Sequence, residues 1–435
     1  MNYREDHEKV VADLLRPIYV TRSFRRWFAF LVIGLAVSIA AYTLQLTLGL
    51  GVTGLRDITT WGMYIGNFVF FVATSLIGML ITAVLGLLGI RWAAPLTRIA
   101  EIIALAFAAV AGLVIIVDMG RPDRLLNVFI YGRFQSPILW DLTVVITYTV
   151  ISALLLYLPL IPDLKLCAER LERAHPLQRK LYSILSLGWN DQPEQAKIIL
   201  RGIRILSVLI IPIALAIHTV TSWLFAVTLR PGWDSTVFGP YFVSGAFVSG
   251  ASAVILAMYF FRRNYRLHNY ITGLHFDRMA KLLILVSLVY LYFNINEFLV
   301  PGYKMKKFDA VHLHALFSGH YAGLFWATQL AGLIIPIVLL LFRRFRKPTA
   351  AFVIALFVLA GSWLKRYLIV VPTMEHPFLP VQHLPADFIV YTPTLIEITI
   401  TAGTLFLTLI IITVLAKFLP IIPIWEMSQH GGDGH

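Results

Sequence analysis

Asp118, Asp141, His218, Glu297, Lys365, Arg366 and Glu397 all fall within or at the edge of long apolar runs. An ionisable side chain at membrane depth costs roughly 2.5–3.5 kcal/mol on insertion scales, so each is a functional candidate by default. The chemistry such a set can perform is proton transfer. Histidine titrates near neutral pH and serves as acid or base, and a carboxylate nearby can orient its ring or relay its proton. His218 with Asp141 is therefore the candidate catalytic pair, and Asp118 stands at the same expected level. Each has a plainer use. A lone histidine on an apolar helix is more often a hydrogen-bonded core residue, and either aspartate could pair with Arg121 or Arg124 to hold a loop.

Trp61, Tyr64 and Asn67 recur at intervals of three and are expected to share one helix face near the same level. An interfacial aromatic belt is the plainer reading of Trp61 and Tyr64, whereas Asn67 lies deeper. Lys365 and Arg366 are adjacent, so both cannot face one partner. Carboxylates such as Glu297 or Glu397 are expected opposite them, as structural ion pairs or as proton-path groups. Glu101, near the inner end of its run, fits an interfacial position.

The elements that must position these residues are membrane spans. Of the 435 residues, 59% are hydrophobic and 14% charged, more apolar matter than a water-soluble core can use. About 20 apolar residues cross a bilayer. Ten segments qualify: Trp27 to Leu50, Thr60 to Leu88, Leu96 to Met119, Pro137 to Leu160, Ile205 to Leu229, Phe238 to Phe261, Ala280 to Pro301, Phe317 to Phe342, Thr349 to Val371 and Pro393 to Leu419. The expected fold is thus all-α and polytopic: a polar segment over 1–26, a ten-helix membrane domain over 27–419, and a tail over 420–435. Two four-helix bundles, over 60–229 and 238–371, with one flanking helix at each end, suit this count.

The net charge of +13 follows topology and is not accompanied by any nucleic-acid motif. Placing both termini and the even-to-odd connections on one side gathers 26 of the 36 basic residues there. Arg56, Arg121, Arg124, Arg133, Arg230, Lys304, Lys306 and Lys307 fall on the other side. By the positive-inside rule both termini are expected in the cytoplasm, with the loops around 120–136, 302–316 and 373–392 facing outward. Cys167 is the single cysteine, so no CxxCH haem attachment or four-thiolate iron–sulfur site can be built. An axial histidine pair for b-type haem is also disfavoured. His218 alone lies deep, while His312, His314, His376 and His383 are in expected outer loops, His320 is at a span edge, and His268 and His275 are at the inner side. No metal site is expected on this chain.

Several runs resemble the NrfD/PsrC family, the polysulfide-reductase-type membrane subunits of respiratory complexes. They are WGMYIGNFVFF from Trp61, VDMGRPDRLLNV from Val117, SPILWD from Ser136 to Asp141, AIHTVTSWLFAV from Ala216, RPGWDSTVFGPYFVSGAFVSG from Arg230, YTPTLIEITITAG from Tyr391 and IPIWEM ending at Met427. Ten spans look like the longer branch, which includes membrane subunits of alternative complex III and of the Dsr membrane complex. The resemblance implies a haem-free subunit of a bacterial or archaeal cytoplasmic membrane. It implies a quinone, menaquinone or ubiquinone, as substrate near the outer face, and electron exchange with a ferredoxin-like iron–sulfur partner docked on the periplasmic side among other membrane subunits. Carried onto this chain, the quinone site would comprise Trp61, Tyr64, Asn67, Asp118, Asp141 and His218, with Glu297, Lys365, Arg366 and Glu397 as a proton path. The alternative is an anchoring or proton-conducting subunit of the same kind of complex that binds no quinone.

Overall fold

A backbone in lipid has no water to bond to, so a spanning segment must satisfy its own N–H and C=O groups as a helix. The computed structural model describes residues 11, 13–171, 175–228, 230–376, 385 and 388–425. Among these, ten helices are long and apolar enough to cross a membrane. They are α1 (Arg22–Leu48), α2 (Met63–Leu85), α3 (Trp92–Asp118), α4 (Pro137–Tyr157), α5 (Pro193–Ala226), α6 (Phe238–Asn264), α7 (Gly273–Lys304), α8 (Ala322–Leu341), α9 (Pro348–Met374) and α10 (Leu395–Phe418). No strand occurs among the described residues. Expectations that fall on 1–10, Leu229, His383, Glu426 and Met427 lie outside them.

Local sequence sets many of the helix ends. Pro137, Pro193 and Pro348 open α4, α5 and α9, where a missing N–H costs nothing. Thr394 caps α10 in a reciprocal capping box with Glu397. The stretches Met79–Leu85 in α2 and Leu330–Ile334 in α8 are π-helical.

Helices α2 to α5 pack as one four-helix bundle and α6 to α9 as a second, joined where α6 meets α2 and α5 and where α9 meets α2. Helices α1 and α10 pair with each other and lean on α2 and α3. The most apolar stretches of α2 and α6 are each 78% buried, against 11% in α1, so α2 and α6 form the centre and α1 faces lipid. Small residues permit the close crossings. A Cβ on Gly361 of α9 would stand 2.5 Å from the Cα of Gly332 on α8. Ser38 of α1, which a Cβ on Gly403 would strike, donates its hydroxyl to Thr399 O at 2.8 Å.

The segment before α1 and the end of α10 meet on one face, where Lys417 Nζ donates to Pro17 O and Tyr19 O at 2.5 and 2.9 Å. This is the termini face; the opposite, loop face carries the connections α1–α2, α3–α4, α5–α6, α7–α8 and α9–α10. Two expected boundaries need correction. The long α4–α5 connection is helical, with helices Leu160–Arg170 and Pro176–Leu185, and α5 starts at Pro193 rather than Ile205. Its first three turns are too polar to register as a span. The outer loop expected over 302–316 is helical over Lys307–Phe317, and the expected eighth span starts at Ala322 rather than Phe317, because that helix ends where Gly319 N donates to His314 O at 2.7 Å.

Candidate functional site

The polar residues singled out in the sequence fall into three groups that share the loop-face half of the molecule. The first lies between α4 and α5. Asp141, 3% exposed in the first turns of α4, accepts a 2.5 Å hydrogen bond from Thr221 Oγ1 on α5. One turn deeper on α5, His218 is 2% exposed and its Nδ1 lies 3.1 Å from Ala214 O. A carbonyl can only accept, so this geometry assigns the proton to Nδ1 and leaves Nε2 with the lone pair. Nε2 is buried and makes no hydrogen bond, and the backbone of Val72 and Ala73 on α2 lies beside the ring. Toward the loop face, Trp61 packs at 5.6 Å on Phe225 and 5.9 Å on Trp233, which itself donates Nε1–H to Ile369 O at 2.6 Å. Phe225 stands about two turns beyond His218 on α5, so these rings form an aromatic roof on the loop-face side of the buried imidazole. Asp141 does not orient His218; Ala214 O holds the ring, and Thr221 takes the carboxylate.

The second group lies between α1, α2, α3 and α10. Tyr64 donates to Gln45 Oε1 at 2.6 Å, and Gln45 Nε2 donates to Val117 O at 2.9 Å. Asn67 Nδ2 donates to Thr404 Oγ1 at 2.9 Å and its Oδ1 accepts from Trp363 Nε1 at 3.1 Å. Asp118 has a buried Oδ1 without a partner and lies within Coulombic range of Tyr64 and Glu397. The loop pairing open to it is not made: Arg121 instead binds Asp123 at 2.9 Å. Glu397, 0% exposed, accepts from Gly54 N and Thr394 N at 2.8 Å each and from Tyr391 OH at 2.6 Å. Tyr391 OH accepts in turn from Met63 N at 3.0 Å. This carboxylate latches the α1–α2 loop and the start of α10 over the start of α2, and among the described residues no cation pairs with it.

Trp61, Tyr64 and Asn67 do not share a face. Trp61 precedes the first helical residue, Met63. Each step of three residues also falls about 60° short of a full turn at 100° per residue. Trp61 thus turns to α5, Tyr64 to α1 and Asn67 to α9 and α10.

The third group belongs to the second bundle. Lys365 Nζ stands 3.0 Å from Glu297 Oε2 of α7, one of the two carboxylates expected opposite the Lys365 and Arg366 pair. Arg366 points elsewhere, into a notch left by Gly245 of α6, where a Cβ would lie 2.7 Å from Nη2. Arg366 is 3% exposed, its Nε and Nη2 have no hydrogen-bond partner, and no carboxylate pairs with it among the described residues. It lies within Coulombic range of His218, across the boundary between the bundles.

Sequence reasoning missed Gln45, Thr221, Asn294 and Gln329. The amides carried a signal, since an amide inside a span is rare enough to flag; a threonine on an apolar helix is not. Among the described residues no three His, Cys, Asp or Glu converge as a metal site.

A sequence model of the family described as "Polysulphide reductase, NrfD" matches residues 51–376. The chain is 26% identical to a putative dimethyl sulfoxide reductase membrane subunit of Halobacterium salinarum, over 94% of this chain and 95% of that one. It is 21% identical to a selenate reductase subunit of Mesobacillus selenatarsenatis, over 88% and 91% of the two chains. It is 23% identical to the Hdr-like menaquinol oxidoreductase integral membrane subunit of Archaeoglobus fulgidus, over 92% and 94%.

Proposed function

Because the chain belongs to the NrfD polysulphide reductase family, we propose that it is the membrane subunit of a respiratory oxidoreductase and that it exchanges electrons with a membrane quinone at its loop face. The relatives' names, two reductase subunits and a menaquinol oxidoreductase subunit, support both the assembly and a menaquinone-type substrate, with ubiquinone as the alternative. A bacterial or archaeal cytoplasmic membrane, with the loop face outward, accords with their sources and with the charge asymmetry.

The observation that carries the reading is the free Nε2 of His218 beneath the aromatic roof. Oxidation of one quinol releases two protons and two electrons. His218 Nε2 accepts one proton from the quinol hydroxyl; Asp141, held by Thr221, is the carboxylate through which the second leaves. The electrons pass to a ferredoxin-like iron–sulfur partner on the loop face, and reduction of quinone runs the same steps in reverse. A quinol reaching Nε2 has to displace packed side chains, since the atom is sealed. Trp61, held by stacking rather than by hydrogen bonds, is the one that moves.

Photolabelling with an azidoquinone, followed by peptide mapping of the purified complex, tests this. Label on α2 and α5 is expected. Label only on partner subunits supports the second reading, a subunit that anchors or conducts protons without binding quinone, which the sealed His218 favours.

A further inference from the structure

The second bundle contains a polar system that the quinone reading does not use. Its outer member is the Glu297–Lys365 pair. Beneath it, Tyr241 OH lies 3.1 Å from Asn294 Oδ1 and 3.2 Å from Tyr290 OH, and Asn294 Nδ2 donates to Gln329 Oε1 at 2.7 Å. These four residues and Lys365 come from α6, α7, α8 and α9, all four helices of the bundle, and all are buried. Three of them, Tyr290, Gln329 and Lys365, line a small cavity of about 10 Å³. That is the space of roughly one water molecule, which needs two to four polar partners to stay. The lining supplies Lys365, Gln329, Thr328, Ser362 and Tyr290, and Thr328 Oγ1 is a buried hydroxyl without a partner.

The floor of the cavity is different in kind. It consists of Val248, Leu333 and the glycines Gly332 and Gly361, whose backbones meet too closely to admit even a Cβ. Toward the termini face the buried positions continue mostly as apolar side chains such as Ala251, Val254, Leu283, Ile337, Ile354 and Val358; of the hydroxyls among them, Ser249 and Ser252 are turned back onto Ala246 O and Val248 O of their own helix, and Ser287 lies one turn below Tyr290 on α7. The hydrogen bonds that cross between these helices therefore run from the loop face to mid-bundle and end where Gly332 meets Gly361 beside Val248 and Leu333.

We propose that Lys365, Glu297 and a single water in this cavity form a proton-binding site open only to the loop face. Lys365 is shared by the two halves: its ammonium touches Glu297 and also lines the cavity. Transfer of one proton from Nζ to the Glu297 carboxylate leaves a neutral amine and a carboxylic acid, and the acid releases the proton toward the loop face; on reloading, Glu297 takes a proton from the loop face and returns it to the amine, while the water solvates the amine in both states and is unchanged at the end of the cycle. No electron moves, so the site works whether or not quinone binds in the first bundle. The groups that face Lys365 are Glu297 and Tyr290 of α7, Tyr241 of α6, the uncharged Thr328 and Gln329 of α8, its neighbour Arg366, and His312 of the Lys307–Phe317 helix, which stands within Coulombic range on the loop side. A site of this shape loads and releases a proton locally and does not conduct across the membrane.

The purified complex in oriented proteoliposomes, titrated by difference infrared spectroscopy with one side's pH clamped at a time, tests this. A carboxylic C=O band is expected that follows the loop-face pH, shifts in D2O and is lost in Glu297→Gln. Ser362→Val, which fills the water position and leaves the ion pair intact, is expected to slow the D2O shift. A band that follows the termini-face pH, or the absence of any band that Glu297→Gln removes, overturns the proposal. Density for a water between Lys365, Thr328 and Gln329 in a high-resolution map of the unmodified complex is the independent check; an empty cavity also overturns it.

Discussion

Thr221→Val removes one hydroxyl and keeps the shape of the side chain, so it isolates the bond to Asp141 Oδ1. Both residues are buried, at 1% and 3% exposure, so no bulk water replaces the lost donor. In water-soluble proteins a bond to an ionised group contributes roughly 1.5–3 kcal/mol. Interhelical side-chain bonds measured within membranes average only about 0.6 kcal/mol, with a maximum near 1.7, because the separated helices find other partners. The Asp141–Thr221 bond joins α4 to α5 inside a bundle that stays inserted when it loosens, so the membrane figure governs. A double-mutant cycle of Thr221→Val and Asp141→Asn, read by reversible unfolding in mixed micelles, should return a coupling of about 0.6–1.7 kcal/mol. The loss of the bond should also let the carboxylate turn, so quinol turnover should fall while quinone remains bound. Strictly additive single mutants would refute the contact, and coupling without any change in turnover would refute its place in the proton route.

Gly361→Ala would drive a Cβ to 2.5 Å from a backbone atom of α8, which no rotamer change relieves. It should cost about 1–3 kcal/mol and lower the Tm of the complex, whereas Gly86→Ala, with nothing within 4 Å, should leave it unchanged. Glu397→Gln weakens every bond of the latch to Gly54, Thr394 and Tyr391, at about 1.5–3 kcal/mol, and should expose the α1–α2 loop to limited proteolysis. His312 lies outside the spans, where burial first, then His376 and Lys365, push its pKa down to about 3. An unfolded histidine titrates near 6.5. Above that pH both states are neutral and the stability is complete; as pH falls toward 3 the opened state alone takes a proton, and stability drops by up to about 1.4 kcal/mol per unit. The opening free energy of 305–321, taken from hydrogen-exchange rates corrected for the pH dependence of intrinsic exchange, should therefore fall from pH 7.5 to 5, and His312→Gln should flatten that response.

The spans were legible because hydropathy is what a bilayer selects, and the Lys365–Glu297 pair was legible because a buried ammonium demands a carboxylate. Other features were settled by neighbours that no single segment reveals. Glu397 is spaced plausibly for a cation partner but is satisfied by its own cap at Thr394 and by Gly54 N–H, brought in from a loop more than three hundred residues away. Arg366 had a carboxylate expected opposite it and lies instead in a glycine notch. Trp61, Tyr64 and Asn67 had a regular spacing, yet a period of three drifts around a helix, and Trp61 never enters it. The first turns of α5 escaped notice since a helix beyond the bilayer carries no apolar signature.

The central claim rests on the lone pair of His218 Nε2. Quinol-driven electron transfer in the purified complex, compared with that of His218→Ala, measures it most directly. A positioned general base contributes about 10²–10⁴-fold, and the variant should lose a factor in that range while retaining its fold and its partner subunits. An unchanged rate in His218→Ala would contradict the assignment and remove quinol chemistry from this site.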